Sequence, residues 1–306
     1  MSEILICVPT YNRNKSLIDC LVSIEKLKND KFFRIKVLIM DNSITNDSFK
    51  IIKKFKKKQI LKIYQSHEKK RGIVHARNKC LQFARKLKPN YIAFIDDDCK
   101  VDKNWLNNIF KLLNKVDADV ITGPQLYERE NKKNYTSLFE KKYKKKLLRV
   151  NWAASNNVFF KFDILKQEKN IKFDINLNKF GMGEDQLFFS IINKIGYKIY
   201  WSQNIIVTEK IHPHRSSIGW IKERSKRLGI LGHYLDIKIH GKIIGYFISY
   251  IKCFYLFFTS IIIYINIFNV NKDLDFANCL SRSYGKFIGP FNIKKIRFFK
   301  QKNYLN

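Results

Sequence analysis

The sequence is poor in the residues that mark several protein classes. Its 306 residues include 12 Gly and 5 Pro, too few for a collagen-like or low-complexity chain. None of its six cysteines forms a C-x-x-C pair, and no His-x-x-x-His follows them, which argues against a zinc finger or a thioredoxin-like redox motif. With 45% hydrophobic residues, the chain has enough apolar material for a large core and is not intrinsically disordered.

The N terminus has no basic leader followed by a long apolar run, so the sequence predicts no signal peptide. Scattered single cysteines are typical of a reducing compartment, where they serve as small buried hydrophobic residues. We therefore expect the active portion of the chain to be cytoplasmic, on the inner face of the cell membrane for the reasons given below.

Acidic residues are scarce relative to basic ones. The 26 Asp plus Glu stand against 59 Lys plus Arg, for a formal net charge of +33. Such a charge attracts polyanions, which include nucleic acid, anionic lipid and phosphorylated substrates, although a general bias towards Lys can also produce it. A basic nucleic-acid-binding protein is therefore one alternative. No recognised nucleic-acid-binding motif supports it, and we expect no specific nucleic-acid partner.

Strands and helices alternate through the first 113 residues, which predicts βαβ units and a parallel sheet. The predicted strands are 4–8, 35–40, 60–64 and 91–95, followed later by 120–123, 158–162 and one within 199–207. The predicted helices are 14–27, 47–58, 74–86, 105–113 and one that ends near 194.

Polar clusters follow three of the predicted strands, at residues 10–13, 41–42 and 96–98. Ligands bind outside the carboxyl ends of strands in open α/β sheets, so these clusters are expected to converge on one site. No G-x-G-x-x-G follows the first strand and no Walker A sequence is present, which argues against dinucleotide and NTPase sites.

The run Asp96-Asp97-Asp98 needs compensating charge, which Mg²⁺ or Mn²⁺ supplies, because these ions prefer oxygen ligands. An acidic loop that caps the next helix is the alternative. Asp41 is suited to a base or ribose hydroxyl, or else to an Asx turn. Arg77, with Arg71 and Asn78 nearby, suits phosphate binding or simply a basic helix surface.

Glu184 and Asp185 follow a glycine pair at a predicted helix start. A carboxylate there can act as a general base, or can merely complement the positive helix N terminus. Further along, His212 or His214 is a possible metal ligand, although two histidines among basic residues are more often ordinary surface groups.

Residues 243–268 are mostly apolar and aromatic, with Lys252 as the single charge, and are long enough to span a bilayer. Basic residues flank this run on both sides, so the positive-inside rule favours neither orientation, and a monotopic helix or re-entrant hairpin fits better than one crossing. A buried core helix is the alternative.

Together the motifs resemble family 2 glycosyltransferases of the GT-A fold over residues 3 to about 230. The motifs that carry the resemblance are Val8-Pro9-Thr10-Tyr11-Asn12-Arg13, Asp41-Asn42-Ser43, Arg71-Gly72 with Ala76-Arg77-Asn78, Asp96-Asp97-Asp98 and Gly183-Glu184-Asp185. The resemblance implies an α/β fold with a Rossmann-like mixed sheet flanked by helices, plus a C-terminal apolar helical region. It also implies a nucleotide-sugar-binding half (1–125), an acceptor-binding half (126–240) and a membrane-associated region (241–306).

The resemblance also implies residue roles. Thr10, Tyr11 and Asp41 surround the nucleobase and ribose, and Arg77 lies near the diphosphate. Asp96 faces the ribose or donor sugar, Asp98 binds Mn²⁺ or Mg²⁺, and Asp185 is the base of an inverting transfer, with Glu184 as the alternative. Asp96 is a further candidate metal ligand, as is His212 on the ground of its residue type alone. The remaining implied substrate-binding residues are Pro9, Asn12, Arg13, Arg71, Asn78, Asp97, Arg215 and Trp220.

The segment from Arg215 to Gly229 resembles that of membrane-linked members that act on cell-surface polysaccharides, but the Q-x-x-R-W motif of processive synthases is missing. We therefore expect transfer of one sugar, with a UDP-sugar as the expected donor, to a saccharide or lipid-linked acceptor at a membrane surface. A nucleotidyltransferase, which consumes a nucleoside triphosphate, is the second alternative.

Overall fold

The computed structural model describes residues 1–29, 32–56, 61–128, 146–210, 217–266 and 272–292. The chain forms two compact units. The first holds Met1–Asn178 and Glu184–Lys210, and the second holds Lys179–Gly183 together with the described residues after 210. The functional halves expected on either side of residue 125, and the boundary expected at 240, stay predictions.

The first unit is a mixed α/β structure. Its strands are β1 (Ser2–Thr10), β2 (Phe33–Asp41), β3 (Lys62–His67), β4 (Tyr91–Ile95), β5 (Cys99–Val101), β6 (Val120–Thr122), β7 (Gln125–Glu128), β8 (Leu147–Val150), β9 (Asn157–Lys161), β10 (Ile199–Ser202) and β11 (Val207–Lys210). Its helices are α1 (Asn14–Glu25), α2 (Ser48–Lys56), α3 (Ile73–Leu87), α4 (Trp105–Leu113), α5 (Asp163–Gln167) and α6 (Glu184–Lys194). Each strand and helix predicted from the sequence is confirmed with small shifts of its ends. Residues 57–58 of the predicted second helix and residue 60 of the predicted third strand lie outside the described residues.

Eight strands form the main sheet in the order β3-β2-β1-β4-β9-β6-β10-β8. The first four are parallel, as predicted for βαβ units. Strand β9 lies antiparallel between β4 and β6, and β8 is antiparallel to β10. A second sheet, in the order β5-β11-β7, was not predicted, because its strands are only three or four residues long.

The main sheet is buried on both faces, which explains the continuous apolar runs in its strands. In β1, Ile4, Ile6 and Val8 point into one core, and Leu5 and Cys7 into the other. Helices α1, α2 and α4 cover the first face, and α3 and α6 cover the second. The parallel strands therefore end in a rigid, two-sided framework that holds the loops at their carboxyl edge.

The second unit contains the helices α7 (Ile218–His240), α8 (Lys242–Ile265) and α9 (Lys272–Asn292). Glycines allow α7 and α9 to approach closely. A Cβ at Gly229 would lie 2.2 Å from the carbonyl oxygen of Arg282, and one at Gly285 would lie 2.1 Å from that of Lys226. Helix α8 corresponds to the apolar run identified from the sequence.

Candidate active site

The polar clusters after β1 and β4 meet at the carboxyl edge of the main sheet, as expected from the sequence. The Thr10 hydroxyl donates to Asp97 Oδ2 over 2.7 Å. Arg13 Nη1 lies 3.1 Å from Asp97 Oδ1 and 2.6 Å from Asp98 Oδ2. Parallel pairing of β1 with β4 brings the two loops side by side.

Asp97 is the buried member of the acidic run, and its environment sets its protonation. Burial raises the pKa of Asp97 to about 7; Arg13 opposes this shift and Asp98 adds to it. Burial lowers the pKa of Arg13, but the carboxylates of Asp97 and Asp98 outweigh it, so the pKa is raised overall. Arg13 is therefore a permanent cation that holds the acidic loop together.

Arg77 connects the acidic loop to the start of α6. Its Nη2 lies 2.9 Å from Asp96 Oδ1, and its Nη1 pairs with Glu184 Oε1. The side chains of Arg77 and Glu184 are buried, whereas that of Asp96 is 33% exposed. Its proposed position near a diphosphate stays a prediction; the geometry shows that its guanidinium holds two carboxylates.

Burial and neighbouring charges determine which member of the Arg77 cluster titrates near neutral pH. Burial raises the pKa of Glu184 to about 7, Arg77 lowers it, and the neighbouring Asp185 raises it. Burial lowers the pKa of Arg77, but Asp96 and Glu184 more than compensate and raise it overall. Arg77 therefore stays charged, and Glu184 is the member that titrates near neutral pH.

Asp185 lies in the first turn of α6, and three hydrogen bonds orient its carboxylate. Its Oδ2 accepts from the backbone N–H of Ser155 at 3.1 Å and from the Ser155 hydroxyl at 3.3 Å. Its Oδ1 accepts from the backbone N–H of Gln186 at 2.7 Å. Ser155 is fully buried and was missed from the sequence, where the only signal is a run of small and polar residues before β9.

Asp41 ends β2 and forms the Asx turn considered from the sequence. Its Oδ1 accepts from the backbone N–H of Ser43 at 2.7 Å, and its Oδ2 accepts from the hydroxyl and the backbone N–H of Ser48. Asp41 is 1% exposed. The carboxylate thus fixes the start of α2, and a role towards a nucleobase or ribose stays a prediction.

Asn42 and Asn178 shape the loop before α3. Asn42 belongs to the polar cluster after β2, although the sequence assigns it no role of its own, and Asn178 was not predicted. Asn42 Nδ2 donates to the carbonyls of Glu68 and Lys70, and its Oδ1 accepts from the Gly72 N–H at 2.7 Å. Gly72 has φ +127°, and a Cβ there would lie 1.8 Å from Asn178 Oδ1. Only glycine fits this position, so the presence of Gly72 in the sequence indicates a tightly held loop.

The same loop places Arg71 beside Tyr11, with the guanidinium carbon 5.3 Å from the ring centroid. Asn78 exchanges two hydrogen bonds with the backbone of Phe173, at 2.8 and 2.9 Å, so its side chain holds a neighbouring segment. Pro9 lies within β1 opposite Met40 of β2, and Asn12, two residues after β1 ends, adopts a left-handed conformation with φ +52°.

Three predicted site residues remain: Trp220, His212 and Arg215. Trp220 belongs to the helical unit, where the Arg224 guanidinium lies 5.4 Å from its ring. His212 and Arg215 lie outside the described residues. The site that the structure defines is therefore built on the loops after β1, β2 and β4 and on the starts of α3 and α6.

Residues 5–175, more than half of the chain, match the family model described as glycosyl transferase family 2. The chain belongs to this family. The matched range contains the loops after β1, β2 and β4, whereas Glu184 and Asp185 lie just beyond it.

Curated relatives agree with this family. The chain is 25% identical over 244 residues to the succinoglycan biosynthesis protein ExoM of Rhizobium meliloti, which covers 76% of the chain and 75% of ExoM. It is 28% identical to the glycosyltransferase GlyG of Streptococcus pneumoniae over 40% of the chain and 39% of GlyG. The chain therefore spans only about two fifths of the length of GlyG.

Solved glycosyltransferases share the fold. A mannosyltransferase of Pyrobaculum calidifontis, solved with GDP-Man and Mn²⁺, superposes with a TM-score of 0.62 at 13% identity over 94% of this chain and 87% of that one. Residues 1–349 of Staphylococcus aureus TarS, solved with UDP-GlcNAc, give a TM-score of 0.55 at 16% identity over 98% and 97%. At these identities the likeness shows the GT-A fold alone.

The acidic loop of this family 2 chain has the chemistry of a divalent-cation site. Asp96 and Asp98 keep 33% and 21% of their side chains exposed on either side of the buried Asp97. Two carboxylates are enough for Mg²⁺ or Mn²⁺ when substrate phosphates and water complete the shell. Within the described ranges, no group of three or more His, Cys, Asp and Glu side chains could hold a metal by itself.

Proposed function

We propose that the chain is an inverting glycosyltransferase that moves one sugar from a nucleoside-diphosphate sugar, with UDP as the expected nucleotide, to a saccharide or lipid-linked acceptor in cell-surface glycan synthesis. The observation that carries this proposal is the Arg77 bridge. It joins Asp96, in the loop after β4, to Glu184, which directly precedes Asp185. One side chain thereby joins Asp96, a carboxylate suited to a cation, to the helix start that carries Asp185, a carboxylate suited to a base.

In the proposed reaction, Asp185 accepts the proton of the acceptor hydroxyl. The acceptor oxygen then attacks the anomeric carbon from the face opposite the nucleoside diphosphate, which leaves. The hydrogen bonds from Ser155 keep Asp185 Oδ2 in one orientation, so little rearrangement is needed when the proton moves.

The donor binds, in this proposal, at the carboxyl edge of the main sheet, with Thr10, Tyr11 and Asp41 around the nucleobase and ribose. Asp96 and Asp98 would hold a divalent cation, Mn²⁺ or Mg²⁺. When bound, such a cation stabilises the negative charge that develops on the departing diphosphate. Arg13 and Arg77 keep the two carboxylates in place through their ion pairs.

We also propose that the protein works on the inner face of the cell membrane. Among the residues that the structure describes, α8 is the one helix long and apolar enough to cross a membrane, with a mean hydropathy of 1.8. Only 17% of that apolar stretch is buried within the chain, whereas the core helix of a soluble protein is mostly buried.

A thermal-shift panel of UDP, GDP, CDP and dTDP, each with and without Mn²⁺, tests the donor site. Binding to the folded state raises Tm. We expect one nucleotide to raise Tm in a metal-dependent manner, and Asp98→Asn to abolish that dependence. Asp117→Asn, at a side chain 68% exposed, is the matched control and should leave it intact.

Equal small shifts for every nucleotide, with or without metal, would leave only a basic anion-binding surface and would contradict the proposal. A Tm rise with a nucleoside triphosphate, together with release of pyrophosphate, would identify a nucleotidyltransferase instead.

A further inference from the structure

One face of α8 is apolar and uncovered within the chain. Phe247 is 69% exposed, Phe254 60% and Ile262 66%. Six of the exposed apolar residues recur every three or four positions, which places these six on one side of the helix. We call this side the α8 face; its residues are Ile243, Phe247, Ile251, Phe254, Phe258 and Ile262.

The opposite side of α8 is packed against its own unit. Its buried residues are small: Gly245, Ser249, Cys253 and Ser260. A Cβ at Gly245 would lie 2.4 Å from the Ile237 Cα in α7, and the Ser283 hydroxyl of α9 donates to the Cys253 carbonyl over 2.9 Å. Helix α8 is thus packed against both α7 and α9 rather than free to leave them.

The charges around α8 oppose a simple crossing of a membrane. Lys252 Nζ lies 2.6 Å from Asp236 Oδ1 in α7, and Lys286 Nζ of α9 lies 2.7 Å from Asp236 Oδ2. If α8 spanned a bilayer with its packing intact, these charged groups and others of α7 and α9 would enter the hydrocarbon, at a cost of several kcal/mol. If α8 instead lies in the plane of the membrane surface, these charged groups remain outside the hydrocarbon.

The surroundings of the α8 face favour lipid over another protein as its occupant. Lys238 and Lys242 are exposed just before and at the start of α8. Lys272 begins α9, after the other end of α8. Basic side chains near an aromatic, apolar surface match the headgroups and acyl chains of an anionic bilayer. The formal net charge of +33 adds long-range attraction to such a surface.

We propose that α8 lies in the plane of an anionic membrane surface, with the α8 face in the acyl chains and α7 and α9 on the cytoplasmic side. This extends the proposed location at the membrane and is independent of the proposed sugar transfer.

Vesicle flotation of the full chain tests the docking. We expect binding to vesicles of phosphatidylcholine with phosphatidylglycerol, and weaker binding to phosphatidylcholine alone. Phe254→Glu and Phe258→Glu should each weaken binding about tenfold or more, because each removes one buried aromatic side chain from lipid. Ile195→Glu, an equivalent change at a residue 49% exposed in the first unit, is the control and should bind like the unchanged chain.

Sidedness separates a helix in the plane from one that crosses. Lys242→Cys and Asn266→Cys mark the two ends of α8 on sealed vesicles, with the unchanged chain as the background for native cysteines. We expect a membrane-impermeant maleimide to label both positions from outside without detergent. Protection of one position until detergent is added would overturn the in-plane arrangement while leaving the membrane location intact.

Two further outcomes would overturn the docking itself. One is an absence of binding to any vesicle. That result would also contradict the proposed membrane location, but it would not affect the proposed donor site, which the nucleotide panel tests separately. The other is a detergent-free dimer in sedimentation that Phe254→Glu dissociates, because a second copy of the chain would then cover the α8 face.

Discussion

The Arg77 guanidinium forms a buried ion pair with the Glu184 carboxylate, across 107 positions in the sequence. Arg77 lies in α3 and Glu184 begins α6, so this pair joins two helices on the same face of the main sheet. Since Arg77 also holds Asp96, a single side chain fixes both the loop after β4 and the start of α6.

Replacement of Arg77 by methionine should destabilise the fold strongly. Arg77→Met leaves Glu184 buried without a cation, and removal of one partner from a buried pair costs about 3–5 kcal/mol in the free energy of unfolding. Urea unfolding measures the change. Lys86→Met, at an exposed position of the same helix, should change the free energy by less than about 0.5 kcal/mol.

The double variant Arg77→Met with Glu184→Gln should recover part of the loss, because the unpaired carboxylate is gone. A cost below about 1 kcal/mol for Arg77→Met alone would show that the pair contributes little to stability.

Stability should decline as pH rises from about 5 to about 7.5, in part through Glu184. Its pKa is raised to about 7 in the folded chain, mainly by burial, from the ordinary value of 4.5. Between these pKa values the folded state binds more protons than the unfolded state. The contribution of Glu184 to the free energy of unfolding is therefore complete at the acidic end and is lost as Glu184 ionises.

Urea unfolding as a function of pH compares the unchanged chain with Glu184→Gln. The variant cannot titrate at this position, so its decline across the same range should be shallower. The buried Asp97, with a pKa also raised to about 7, should account for part of the remaining slope. Identical slopes for both proteins would rule out Glu184 as a contributor.

Asp185→Asn should separate catalysis from donor binding. Asparagine keeps the shape of the side chain but cannot take a proton, so we expect kcat to fall by about 10²–10⁴-fold with a functional donor and acceptor. The nucleotide-dependent rise in Tm should persist. Asp117→Asn serves again as the exposed control. A variant with normal kcat, or one that loses only donor binding, would exclude Asp185 as the base.

Two glycines of α7 offer a matched pair of substitutions. Gly229→Ala places a Cβ 2.2 Å from the carbonyl oxygen of Arg282, so α7 and α9 must separate, and we expect a loss of about 1–3 kcal/mol. Gly219→Ala meets nothing within 4 Å and should be neutral or stabilise by up to about 1 kcal/mol, because alanine favours the helix. Thermal unfolding should show a lower Tm for Gly229→Ala and an unchanged or higher Tm for Gly219→Ala; equal effects would contradict the close packing.

The sequence was sufficient to predict the framework and the convergence of the loops after β1 and β4. Those predictions rest on local signals, namely apolar runs, helical spacing and polar residues at strand ends. The antiparallel position of β9 was not predicted, because its apolar run is the same whichever direction the strand takes.

The contacts that organise the site were harder to predict. The sequence suggests phosphate binding for Arg77, or a basic helix surface, because nothing local indicates its carboxylate partners, which lie 19 and 107 positions away. The roles of Ser155 and Asn178 could not be predicted from the sequence, because their hydrogen bonds to Asp185 and to the Arg71 carbonyl depend on the completed fold.

The path of the chain at residues 179–183 bears on how a soluble version of the enzyme is made. This segment belongs to the helical unit, where Phe180 packs 5.8 Å from the Tyr234 ring and Gly183 sits against Leu231, and the chain then enters α6 at Glu184. Truncation before α7 would strip these partners from the residues that lead into Asp185. Polar substitutions on the α8 face leave them in place, and are therefore the better route to a detergent-free enzyme.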